Sequence, residues 1–155
     1  VVGNGDWDIT TLLPILAGYA TGGDLYVAVV VPTPDLLSTV DRVLSALTTD
    51  VETKQQRPLL RHLTLLIQTP TVQMQDTVRD YLGGHIRERR LTVCATRAAF
   101  RCIAVEGERR RIVVQGSIPM QKDHALAMMT VTVDAASCED CVSVFRTMEH
   151  LHELK

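Results

Sequence analysis

The chain has 155 residues, 46% of them apolar and 22% charged, with a formal net charge of −2. This length and composition fit one globular domain with its own core and exclude a disordered chain. The near-neutral balance excludes a protein drawn to nucleic acid or a membrane surface by its overall field, so any polyanion site has to be a local patch.

The longest apolar run, Leu25 to Val31, is far short of the roughly 20 residues that cross a bilayer. Val1-Val2-Gly3-Asn4-Gly5-Asp6 lacks the basic start and apolar middle of a signal peptide. With no opening Met, residues 1–155 are read as a single domain cut from a longer intracellular protein, with the nucleus as one expected compartment.

From the N-terminus, Ile9 to Ala20 carries Leu12, Leu13, Ile15, Leu16 and Tyr19 at helical spacing, with Pro14 in the first turns and Gly22-Gly23 as the stop. Leu25 to Val31 is apolar without alternation, the pattern of a strand buried on both faces. Thr33-Pro34-Asp35 opens a second helix as N-cap, first helical residue and dipole partner. Its stripe is Leu36, Leu37, Val40, Val43, Leu44 and Leu47. Thr48 to Pro58 turns polar and reads as a mobile surface loop. Leu63 to Ile67 is a second buried strand, and Thr69-Pro70 leads to a helix from about Thr71 to Ile86, with Val72, Val78, Tyr81, Leu82 and His85 or Ile86 inward.

Two such strand-to-helix units predict right-handed crossovers. Leu91 to Ala95 is the third strand. Phe100 to Val105 and Arg111 to Gln115 form a hairpin about Gly107, read as a turn glycine with free φ. Met129 to Val133 alternates as a strand covered on one face. A closing helix begins with a capping box at Ser137-Cys138-Glu139-Asp140 and packs through Cys141, Val144, Phe145, Met148 and Leu151. The expected fold is therefore α/β, a mostly parallel or mixed central sheet flanked by helices.

Four cysteines, Cys94, Cys102, Cys138 and Cys141, fall within these elements and read as reduced, packed thiols. Cys138-x-x-Cys141 has a metal or redox spacing, but no second pair or matching histidines accompany it, and a structural zinc needs four ligands. No metal and no cofactor are expected. His150 and His152 stand two apart on a helix and cannot share a face.

The element order, with Gly116-Ser117 closing the hairpin, resembles one half of the phospholipase D superfamily, whose motif is His-x-Lys, four residues, then Asp, followed by Gly-Ser-x-Asn. On that resemblance Ala99 stands at the nucleophilic His, Arg101 at the Lys and Glu106 at the Asp, while Gly116 and Ser117 match and Pro119 replaces Asn. Phosphodiester cleavage in the family passes through a phosphohistidine. An alanine has no lone pair to attack phosphorus and no proton for a leaving group. Arg101 could still clamp an anion, or point outward as an ordinary strand residue, and Ser117 is either a remnant phosphate donor or a turn residue. His124 follows the Gly-Ser exit and is a candidate to rescue catalysis.

The resemblance implies a pseudoenzyme: a catalytically inactive protein-interaction or scaffold module in a larger complex. The alternatives are a nucleic-acid-binding domain using the residual phosphate groove, and a divergent phosphodiesterase. Because active members join two halves, it also implies a homodimer or pairing with a similar domain. Arg87, Arg89, Arg90, Arg109, Arg110 and Arg111 are the candidate anion or partner contacts. They become one patch only if the start of the Leu91 strand lies beside the hairpin tip, and Glu88, Glu106 and Glu108 temper the expected nucleic-acid affinity to weak.

Overall fold

The computed structural model describes residues 2–3, 8–30, 32–68, 71–96, 101–116 and 127–152, with side chains for 8–30, 32–68, 71–96, 101–116 and 129–147. In order the elements are β1 (Val2–Gly3), α1 (Ile9–Tyr19), β2 (Asp24–Val29), α2 (Pro34–Ser45), β3 (Leu47–Thr49), β4 (Gln56–Pro58), β5 (His62–Ile67), α3 (Val72–Arg87), β6 (Leu91–Ala95), β7 (Cys102–Glu106), β8 (Arg111–Gly116), β9 (Ala127–Thr132) and α4 (Ala135–His152).

Seven strands form one mixed sheet in the order β1-β9-β8-β7-β2-β5-β6. β2, β5 and β6 run parallel, as their unbroken apolar runs predict. β7, β8 and β9 continue the sheet antiparallel. The junction is β2 against β7, with Asp24 opposite Glu106 and Val27 opposite Ile103.

Alternation along these strands divides two cores. Leu25, Val27, Val29, Leu63, Leu65, Ile67, Val93, Ile103 and Val105 face α1, α2 and α3. Tyr26, Ala28, Leu66, Cys94, Cys102, Ala104 and Val113 face α4, which covers them with Cys138, Cys141, Val142 and Phe145. Phe145 is fully buried, its ring centroid 5.4 Å from that of Tyr26.

The predicted cap holds for α2, where the Thr33 hydroxyl accepts the Leu36 N–H; α3 is capped by Thr71, expected as its first helical residue, whose hydroxyl accepts the Met74 N–H. Asp8 does the same for α1 through the Thr11 N–H at 3.1 Å. Pro14 lies deeper in α1 than its first turn, on an exposed face.

Several expectations are corrected. Residues 48–58 are no loop: Leu47–Thr49 and Gln56–Pro58 pair as a separate hairpin, whose turn is closed by the Asp50 carboxylate accepting the N–H of Glu52 and Thr53. Ser137 is not the cap of α4, which starts two residues earlier; Asp134 accepts the Ser137 N–H and hydroxyl. Val72, Tyr81 and Val144 are exposed, because α3 and α4 each bury a narrower stripe than their apolar residues suggest. Cys102 and Cys141 are disulfide-bonded rather than reduced, since Cys102 begins β7 on the face where the buried stripe of α4 docks; Cys94 and Cys138 are buried thiols outside that bond.

Candidate anion-binding face

The sheet has two ends with different chemistry. At the end where β2, β5 and β6 finish, β7 begins and β8 stops. Arg101 and Gly116 are both here, Arg101 exposed and Gly116 with φ of 120°, in the left-handed region that favours glycine. Glu106 is not: it stands at the far end of β7, about 17 Å away for five residues of strand. The motif positions therefore do not converge. Ala99, Ser117, Pro119 and His124 lie outside the described residues. Gln68 is buried at this end, and among the described residues its Nε2 has no hydrogen-bond partner.

The opposite end collects most of the charge. At the start of β2 the buried Asp24 carboxylate accepts the Arg61 guanidinium as a fork, one arm at 2.9 Å. Beside it Arg146 of α4 reaches Glu106 at 3.4 Å. Tyr26 lies beneath both acids. Burial, reinforced by Asp24 and Glu106, raises its phenol above the ordinary value despite the Arg146 hydrogen bond. The guanidinium pKa of Arg61 rises through its bond to Asp24, and that of Arg146 through its bond to Tyr26. This network closes the end of the sheet. His62, between the Arg89 carbonyl and the Thr92 hydroxyl, fixes the neighbouring start of β6.

All six candidate arginines are at this end, but not in one patch. β6 and β7 are separated by β2 and β5, which puts about 14 Å of sheet between the two groups at the usual strand spacing. The paired Asp24 and Arg61 occupy that gap. Adjacent strands, which a single patch required, are not found. Arg90 donates to the Leu60 carbonyl at 3.1 Å.

The hairpin tip differs because three of the acids near it, Glu106, Glu108 and Asp134, are engaged. Glu108 pairs with Arg57 at 3.6 Å, Glu106 with Arg146, and Asp134 caps α4. The hydrogen bonds from Ser137 hold the Asp134 carboxyl below its ordinary pKa, so it stays charged and occupied. Arg109, Arg110 and Arg111 project around this tip, with Arg111 donating to the Gly107 carbonyl. Together with Val133, Asp134 and Ala135 at the start of α4 they line a groove of about 430 Å³. The first N–H groups of α4 add positive partial charge there.

On the other side of the same tip, a second cavity of about 540 Å³ opens between α1 and the β3–β4 hairpin. Tyr19, Thr48, Glu52 and Arg57 are among its walls, and Arg109 and Arg110 line both spaces. The Arg110 guanidinium carbon sits 5.4 Å from the Tyr19 ring centroid, a cation–π contact.

Sequence reasoning missed Tyr19, which it placed in the core, and Arg57, which it placed in a mobile loop. The tip is held by close approach rather than by an unusual turn angle. A Cβ on Gly107 would stand 2.5 Å from the Tyr19 carbonyl, and one on Gly23 would stand 2.1 Å from the Glu106 carbonyl.

No protein-family model matches the sequence, and no curated protein matches it. The fold is similar to that of a DNA-binding protein. That protein is TrmBL2, an archaeal chromatin protein whose structure shows a novel mode of DNA binding. The TM-score is 0.53 at 10% identity, over 95% of this chain and 50% of that chain. This chain thus spans half the length of TrmBL2, and at that identity the likeness concerns the fold. Among the described residues, no helix is long and apolar enough to cross a membrane.

Proposed function

We propose that this chain is a non-catalytic binding domain of a larger protein, contacting nucleic acid through the tip of the β7–β8 hairpin and the start of α4. The observation that carries this reading is the groove lined by Arg109, Arg110 and Arg111, whose neighbouring acids are already engaged. Engaged acids leave the guanidiniums to phosphate, and phosphate contacts supply affinity without sequence reading. The likeness to TrmBL2, itself a DNA-binding protein, supports the same reading. The resemblance to a phospholipase D half in which Ala99 stands where the nucleophile would be supports only the non-catalytic part of the reading, since Arg101 and Gly116 lie at the other end of the hairpin from its tip.

The test is oligonucleotide binding at two salt concentrations, for the natural chain and for one with Arg109, Arg110 and Arg111 all changed to Ala. Weak, salt-sensitive binding is expected, with a log–log slope reduced by about 2 in the variant. Salt-insensitive binding, or an unchanged affinity in the variant, overturns the assignment.

A protein partner is the second reading. It is favoured by Val131 in β9 and Val133 just after it, 45% and 69% exposed. Pairing with a second copy or a similar domain through these exposed valines predicts a dimer in sedimentation that Val131→Lys abolishes.

A further inference from the structure

We infer that the hairpin tip is a track for single-stranded nucleic acid, in which one unpaired base stacks at the Tyr19–Arg110 pair while adjacent phosphates lie in the arginine groove. The inference rests on the nucleic-acid reading above and names the strand class that it would take.

The two spaces divide the chemistry. The groove at the start of α4 is lined by three arginines and one acid already committed to capping, so it suits phosphate. The cavity across the tip is mixed: Arg57 is held by Glu108, and Glu52 stands in the wall. Glu52 repels phosphate but can accept an N–H from a base edge, the N3–H in the case of thymine. Thr48 adds a hydroxyl, and Tyr19, 48% exposed, gives a planar apolar surface beside the Arg110 guanidinium.

Aromatic rings and guanidinium planes are the surfaces on which unpaired bases stack. A volume of about 540 Å³ lies within the range of small-ligand sites. Because Arg109 and Arg110 line both spaces, one ligand occupying both carries anionic and planar groups in succession along a flexible chain. A duplex keeps its bases stacked inside and offers none to the cavity.

The experiment compares fluorescein-labelled oligothymidylate, a duplex of equal length and inorganic polyphosphate, which has the anions but no bases. The proteins are the natural chain, Tyr19→Ala and Tyr19→Phe, each first checked by thermal melting. The expected result is tighter binding of the single strand than of the duplex. Tyr19→Ala should lose about tenfold or more for the single strand, leave polyphosphate affinity unchanged, and be matched by near-complete retention in Tyr19→Phe. Equal binding of oligothymidylate and polyphosphate, with Tyr19→Ala changing neither, overturns the base-stacking inference while leaving the anion-binding reading intact. If none of the three probes binds, both fail together.

Discussion

Replacing Gly23 by alanine tests how the hairpin tip is held. The added Cβ would lie 2.1 Å from the Glu106 carbonyl oxygen and 2.8 Å from the Gly107 Cα, both backbone atoms of the hairpin. No side chain can swing away to relieve the clash, so either the start of β2 or the end of β7 must move. Overpacking of this kind costs about 1 to 3 kcal/mol, and the strands involved are the central pair of the sheet. Gly18→Ala is the internal control. A Cβ there meets nothing within 4 Å on α1, so the change should gain roughly 0.5 to 1 kcal/mol from helix propensity. Urea unfolding should place the two variants on opposite sides of the natural protein, separated by on the order of 1 M in midpoint for an m-value of about 2 kcal/mol/M. Displacement of the Glu106–Gly107 backbone also moves Arg109 to Arg111, so Gly23→Ala should weaken oligonucleotide binding even at temperatures where it is folded. A Gly23→Ala protein within 0.5 kcal/mol of the natural one, with unaltered binding, would refute the argument from close approach.

Three further outcomes are expected. Burial pushes the Asp8 carboxyl up, but hydrogen bonds from Thr10 and Thr11 outweigh it and hold its pKa below the ordinary value. Its stabilisation is therefore present above about pH 4 and lost as pH falls below that, so Asp8→Ala should cost about 1 kcal/mol near neutrality and progressively less in acid unfolding series. Gln68→Met removes the amide whose Nε2 has no partner among the described residues and should raise thermal stability by about 1 kcal/mol; a loss would show that the amide is satisfied. The chain should show no turnover of generic phosphodiester substrates, and His at position 99 should not restore any by itself; activity that survives re-purification and vanishes on changing Arg101 or His124 would return the divergent-enzyme reading.

The core strands and the Thr33 cap were legible because their signals are local. An unbroken apolar run demands cover on both faces, and Thr-Pro-Asp marks a helix start through the hydroxyl cap, the fixed φ of proline and the acid near the helix N-terminus. The β3–β4 hairpin was not legible: Thr48, Thr49 and Gln56 are polar because the hairpin stands off the main sheet, so it has no buried face to produce alternation. Tyr19 looked like core because helical spacing says which residues share a face but not how wide the covered stripe is. The arginine candidates do lie at one end of the sheet, as the expected single patch required. Their division into two groups was invisible because it depends on β2 and β5 lying between β6 and β7, and strand order leaves no mark on composition.

The pairing of β2 with β7 also has a consequence for how the chain acquires its fold during synthesis. α1 through β6 can assemble as a parallel half with its own helices, yet β2 is then an open edge, apolar on both faces, waiting for a strand made much later. Non-local pairings of this kind slow folding and leave unpaired edges available to other chains. A fragment ending after β6 is therefore expected to collapse and self-associate, and the β7–β8 hairpin acts in the nascent protein as the stopper for that edge.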